Sequence, residues 1–199
     1  YDLFIDPLRF VTGVPRFRSS GTALGPPMSV GTYQWVEEGI LLSDLIDPWG
    51  MWLLMTGRVE PGRLRDFFSY RRMLGLMVKV GDEDRGSIDD CGQVSKPLSE
   101  RDYARLDRGV DIAREVLVEA GCKPQTIVVG PVRGAHPGAT ARIGRVVDRN
   151  LETRINNLFV ADASVLPEAM GTPVVLTVIA LAKRLADHLL NGTLSRGKR

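Results

Sequence analysis

Val174 to Ala182 is an almost unbroken apolar run, preceded by Gly171-Thr172-Pro173 and followed by Lys183, Arg184 and Asp187. The spacing predicts a helix with Thr172 as N-cap and Pro173 at the first helical position, where the missing N–H of proline costs nothing. Apolar residues on every side predict that this helix is buried on most sides until its charges emerge into water. A helix start buried in that way carries unpaired N–H groups and partial positive charge. It suits an anion or an electron-rich carbonyl, although Thr172 and water would also satisfy it.

Two further features lie upstream. Leu158-Phe159-Val160-Ala161 reads as a short strand ending in Asp162. A carboxylate at that end of a strand either faces a ligand crevice and accepts hydrogen bonds from hydroxyls, or caps the turn at Ala163-Ser164. His136 stands in a Gly/Pro-rich stretch between Gly134 and Gly138. A backbone of that kind approaches a ligand closely, and an imidazole accepts a proton near neutral pH. The plainer reading is an exposed loop histidine. His188, near the end of the apolar helix, reads as a surface residue.

The remainder predicts an α+β chain. Residues 1 to about 35 suggest short strands and irregular loop, with a turn at Gly25-Pro26-Pro27. Ile40-Leu41-Leu42 and the run Trp49 to Met55 are expected in the core, and Pro48 and Gly50 interrupt the latter too early for a bilayer span. An apolar patch there for a membrane surface is a weaker reading. Residues 64–72 suggest a short helix and Met73 to Val80 a strand. The polar turn Gly81 to Gly86 leads into Ser87-Ile88 as a return strand toward Gly92, an antiparallel meander. Between Ser99 and Gly121, Tyr103, Leu106, Val110, Ala113, Leu117 and Ala120 mark one buried helical face. Its charges read as a wetted face and Gly121 as the C′ residue. Thr126 to Val129, Arg145 to Val147 and Leu158 to Val160 are expected as short strands.

Composition narrows the function classes. The chain has 199 residues, 44% hydrophobic and 25% charged, with a net charge of +2. Mixed charges argue against a nucleic-acid binder, and the basic tail Ser195 to Arg199 reads as a solvated end. Two separated cysteines, Cys91 and Cys122, suggest free thiols in a reducing, cytoplasmic setting. No metal site is expected from two cysteines and two histidines at no ligand spacing. Tyr1 begins a segment that already reads like the interior of a fold, which suggests a processed, truncated or split chain.

His136, Thr140, Arg142, Gly144, Val146-Val147-Asp148, Asn157-Leu158, Val160, Asp162-Ala163-Ser164, Pro167, Thr177 and Lys183 occur in one order. In that order they resemble the C-terminal signature of the glucose–methanol–choline (GMC) oxidoreductases, flavoproteins that oxidise alcohols with FAD. Residues from about 73 onward resemble the family's substrate domain more loosely. The resemblance implies an antiparallel-sheet substrate domain with helices over 1–135. A segment over 136–192 would complete a Rossmann-like FAD-binding domain, with a tail over 193–199. It implies that His136 is the catalytic base, taking the substrate hydroxyl proton as hydride passes to flavin N5. Asp162 and Ala163 would contact the flavin's ribityl–pyrophosphate arm, and Pro173, Val174 and Val175 would face its pyrimidine edge.

Three departures stand beside the resemblance. The family's second active-site residue, His or Asn, aligns with Val174, and Ala139 replaces a glycine. No Gly-x-Gly occurs anywhere, so the ADP half of FAD has no evident home here. The expected function is therefore the C-terminal half of an FAD-dependent alcohol dehydrogenase or oxidase. Its partners would be an N-terminal FAD-binding half or subunit and a small-molecule alcohol, with no nucleic acid and no membrane contact. The alternative is a catalytically silent GMC-like subunit with a binding or structural role.

Overall fold

The computed structural model describes residues 2–17 and 26–196. Tyr1, Gly25 of the expected first turn and the last three residues of the basic tail lie outside the described residues. The fold is mixed α+β, an antiparallel sheet with helices. Contacts divide the chain into two compact units, one of Pro7–Gly81 with Glu100–Gly134. The other comprises the described residues of Tyr1–Asp6, Asp82–Ser99 and Ala135–Arg199.

The first unit is built on strand β1 (Phe4–Gly13) from Pro7 onward, with β2 (Gly31–Thr32), β3 (Ile40–Asp44), β4 (Leu74–Val80) and β7 (Val128–Val129), in the order β2-β3-β4-β1-β7. The pairings are antiparallel, with Leu42 opposite Val78 and Val11 opposite both Leu76 and Val129. Successive side chains alternate between faces. Ile40, Leu42, Val78, Val80 and Val11 thus share a face and pack on Leu106, Val110, Ala113 and Leu117 of helix α2 (Glu100–Glu119). Each valine, leucine or isoleucine among them contributes roughly 1.5–3 kcal/mol when fully buried. Gly121 at φ +90 ends α2 as expected. Its N–H bonds Val118 O and the Cys122 N–H bonds Leu117 O, the pairing of a Schellman motif.

The helical face is not uniformly wet, and its expected stripe is trimmed at both ends. Asp102 is fully buried and pairs with Arg105 at 2.5 Å, while Tyr103 and Ala120 are exposed. The Arg105 guanidinium also donates to Gly81 O, so the buried carboxylate is compensated. Cys122 is buried, which pushes its thiol up to about 11, whereas Cys91 is exposed; both are free.

Trp49 to Met55 forms helix α1 (Trp49–Val59), which meets the core by one face only. Trp52 is buried with Val14, Ile46 and Met73, and its indole N–H donates to Thr12 Oγ1 at 3.3 Å. Trp49, Met51 and Leu54 are exposed, contrary to the expected core placement, because eleven helical residues cannot all face one neighbour. The expected short helix at 64–72 lies within 3₁₀ turns over Pro61–Arg72.

In the second unit the expected meander is replaced by a separate ribbon. Strand β5 (Ser87–Ile88) pairs with β6 (Val94–Ser95), not with β4. The reason is local: Asp89 Oδ1 accepts from Cys91 N and Gln93 N, and Gly92 at φ +79 turns the chain within four residues. Arg145 to Val147 and Leu158 to Val160 form isolated bridges rather than strands, Val147 opposite Thr153 and Glu152 opposite Phe159. Among the described residues no helix is long and apolar enough to cross a membrane.

Helix α3 (Val175–Arg196) starts at Val175, later than the expected Thr172–Pro173 start. Val174 is anchored in an apolar cluster and its carbonyl accepts the first helical bond, from Val178 N at 3.0 Å. Nor is the helix buried on most sides. Val178, Leu181 and Leu185 continue a narrow seam from Val174, while Val175, Leu176 and Ile179 are exposed.

Gly109 gives the sharpest test of the α2 packing. A Cβ there would meet Val78 Cγ1 at 2.4 Å and Ile40 Cγ2 at 3.1 Å. Alanine gains about 1 kcal/mol of helix propensity, but overpacking against stiff β-branched side chains costs about 1–3 kcal/mol. Gly109→Ala should lower the urea midpoint, and a raised midpoint would show that the sheet yields freely.

Candidate functional site

His136 lies on strand β8 (Arg133–Gly138), which pairs with β1, and not in the expected loop. Its backbone adopts φ +49, a region that non-glycine residues occupy at a cost of about 1–3 kcal/mol. Its Nδ1 is 2.8 Å from Asp6 Oδ2; the histidine side chain is 27% exposed and the aspartate side chain 0%. Asp6 is the functional candidate that sequence reasoning missed. The available signal was an acid inside the apolar stretch Leu3-Phe4-Ile5-Asp6, which cannot be buried there without a partner.

Two residues on, the strand end is pressed between neighbours. A Cβ at Gly138 would lie 2.2 Å from Phe4 Cζ and 2.7 Å from Ala163 O, so only glycine fits. Phe4, Ala139, Leu166 and Val174 form one buried cluster with Ala163 against it. The structure thus brings together Ala163, Val174 and the strand that bears His136. Val174 is buried and apolar, and offers neither donor nor acceptor at the site.

The other candidates stand apart from that cluster. Asp162 is exposed, and its Oδ1 accepts from Ser164 N at 2.8 Å, capping the 3₁₀ turn Ala163–Val165. Of its two readings, the cap is what the geometry displays. Pro173 is half-buried ahead of α3, and Val175 is exposed at its first residue. His188 is exposed, as expected of a surface residue.

Several of the residues that carry the resemblance, between His136 and α3, hold turns. Gly144 at φ +82 and Asn157 at φ +64 occupy left-handed conformations suited to their types. Asp148 Oδ1 accepts from Asn150 N and Glu152 N, and Val147 is buried with Leu151 and Val165. Asp2 receives Arg142 at 3.1 Å and a closer bond from Arg145. The bonds from Arg145, then Arg142, hold the Asp2 carboxyl below its ordinary range.

The family model described as GMC oxidoreductase, for the family's C-terminal part, matches residues 93–182. An uncharacterised protein of Methanocaldococcus jannaschii is 35% identical over 118 residues, 59% of this chain and 30% of that protein. The neither inactivation nor afterpotential protein G of Drosophila melanogaster is 40% identical over 63 residues, 31% of this chain and 11% of that one. A solved structure of Aspergillus oryzae formate oxidase, an arginine-to-alanine variant studied for FAD modification, superposes with a TM-score of 0.52. That match has 14% identity and covers 94% of this chain and 46% of the other, so it speaks for the fold. The chain spans less than half the length of each of these proteins.

Two measurements probe the local geometry. Ala139 sits at φ +64 with its methyl buried. Relief of that conformation by glycine is worth about 1 kcal/mol and loss of the buried methyl costs about 0.8 kcal/mol. Ala139→Gly should therefore stay within about 0.5 kcal/mol of the parent in urea denaturation. For Asp2, a lowered folded pKa means stabilisation that is complete above the ordinary carboxylate value and lost as pH falls through the folded one. Asp2→Asn should flatten the fall of the urea midpoint below about pH 4; an unchanged slope would deny the pair any role.

Proposed function

We propose, from the premise that this chain carries the C-terminal part of a GMC oxidoreductase, that it supplies the substrate-side half of an alcohol-oxidising flavoenzyme. The observation that carries the reading is His136, held on a β-strand beside the Ala163–Val174 cluster within one unit of the fold. In this role His136 accepts the proton of the substrate hydroxyl. Bound FAD would supply the hydride acceptor, the redox chemistry that protein side chains lack.

The donor set fits a flavin. Val174, which precedes α3, has no side-chain acceptor to offer the first-turn N–H groups, and an electron-rich carbonyl or anion would satisfy them. Pro173, Val174 and Val175 would hold that edge. Ala163 and the second oxygen of Asp162 would meet the ribityl–pyrophosphate arm. The exposed apolar residues Val175, Leu176 and Ile179 favour a further covering body over open water. An N-terminal FAD-binding half, or a separate subunit, is the partner proposed to cover them and to complete a Rossmann-like domain. The substrate is proposed to be a small alcohol.

Val174 favours a second reading. A buried valine where the family has His or Asn removes one proton-handling side chain, as a silent binding or structural subunit would.

The two readings differ in one experiment. The full-length protein, or this chain co-expressed with its N-terminal partner, should show a flavin spectrum that bleaches anaerobically with a small alcohol. His136→Ala should lower kcat by roughly 10²–10⁴-fold, the range of a general base. Persistent flavin colour with no bleaching across an alcohol panel would favour the silent subunit, and full turnover in His136→Ala would remove the histidine as base.

A further inference from the structure

The contact between Asp6 and His136 has the form of a positioning pair. Asp6 lies in β1 with a wholly buried side chain, and its Oδ2 is 2.8 Å from His136 Nδ1. An ionised carboxylate only accepts hydrogen bonds, so Nδ1 must carry the proton across that contact. In the neutral ring this leaves the lone pair on Nε2. A carboxylate removed from water favours a hydrogen-bonded partner, and the 2.8 Å contact orients the ring.

We propose that Asp6 is the positioning residue of His136, holding the Nδ1–H tautomer so that Nε2 is the proton acceptor and stabilising the imidazolium that results. The proposal rests on the reading of His136 as base and deepens it. In the step concerned, the hydroxyl O–H bond of the alcohol breaks, its electron pair stays on oxygen, and the proton bonds to the Nε2 lone pair. The ring then carries a positive charge 2.8 Å from a buried carboxylate, a charge-assisted hydrogen bond of the stronger class. Val174 cannot share that proton or that charge. Asp6, from the opposite end of the sequence, supplies the electrostatic support for a base that works without a second polar residue.

The test uses the full-length protein labelled with ¹⁵N-histidine, its His136 resonances identified by their loss in His136→Gln. At alkaline pH the parent should show a protonated Nδ1 and an unprotonated Nε2. In Asp6→Asn the neutral ring should move toward the Nε2–H form that free histidine prefers. With flavin bound, kcat should fall at least about 10-fold while KM stays within about twofold. A parent ring protonated on Nε2 overturns the proposal without any variant, so it stays refutable even if Asp6→Asn does not fold. An Asp6→Asn protein with unchanged tautomer and kcat also overturns it. If the tautomer shifts in Asp6→Asn while His136→Ala retains full turnover, Asp6 orients the ring but the base assignment has failed. The two claims are thus separable.

Discussion

The rest of the candidate site depends on the close approach at Gly138, where a ring edge of Phe4 and the carbonyl of Ala163 leave no space for a side chain. That approach sets β8 against the Asp162–Ala163 turn, and with it the position of His136. It also buries Phe4 completely, and the cluster of Phe4, Ala139, Leu166 and Val174 grows from that ring. The start of α3 follows, because Val174 is drawn into the cluster and the first exposed helical residue is Val175. A larger residue at 138 would have to displace backbone, so one glycine governs the spacing of several candidate residues.

Two physical kinds stand out among the residues from His136 to Lys183. Gly144, Asp148, Asn157 and Asp162 work on the backbone, through left-handed conformations and carboxylates that accept from N–H groups two or four residues on. Val147, Val165 and Val174 fill apolar clusters. His136 belongs to neither kind. It adopts a positive φ and sets its ring on a buried carboxylate, which is costly to bury without a hydrogen-bond partner. Strain of that sort collects where chemistry needs a side chain held still.

Much of the fold was legible where one physical rule dominates. The α2 stripe of Leu106, Val110, Ala113 and Leu117 follows from helical period, and Gly121 from the freedom of glycine at a left-handed cap. β4 follows from its apolar run. Legibility failed where a short segment could satisfy itself locally. Asp89 and Gly92 fold Ser87–Ile88 into a ribbon of its own, and the turns at Asp148 and Asn157 leave only bridges where strands were expected. It failed again for α3, since an all-apolar helix in sequence specifies hydrophobicity but not which of its sides has a neighbour. His136 reads as a loop residue because glycine and proline usually punctuate strands, yet Arg133–Gly138 pairs with β1 as a strand.

The sequence by itself determined the mixed α+β class, the resemblance to the GMC signature, the long α2 helix and the absence of any polar side chain at position 174. These depend on residue type and short-range spacing, which a linear chain displays in full. Only the tertiary structure decided that Asp162 caps a turn, that α3 shows Leu176 and Ile179 to water, and that His136 meets Asp6. Residues 130 positions apart carry no mutual signal in one sequence. Their meeting is settled by strand pairing and by the cost of burying a carboxylate alone, both of which exist only once the chain has folded.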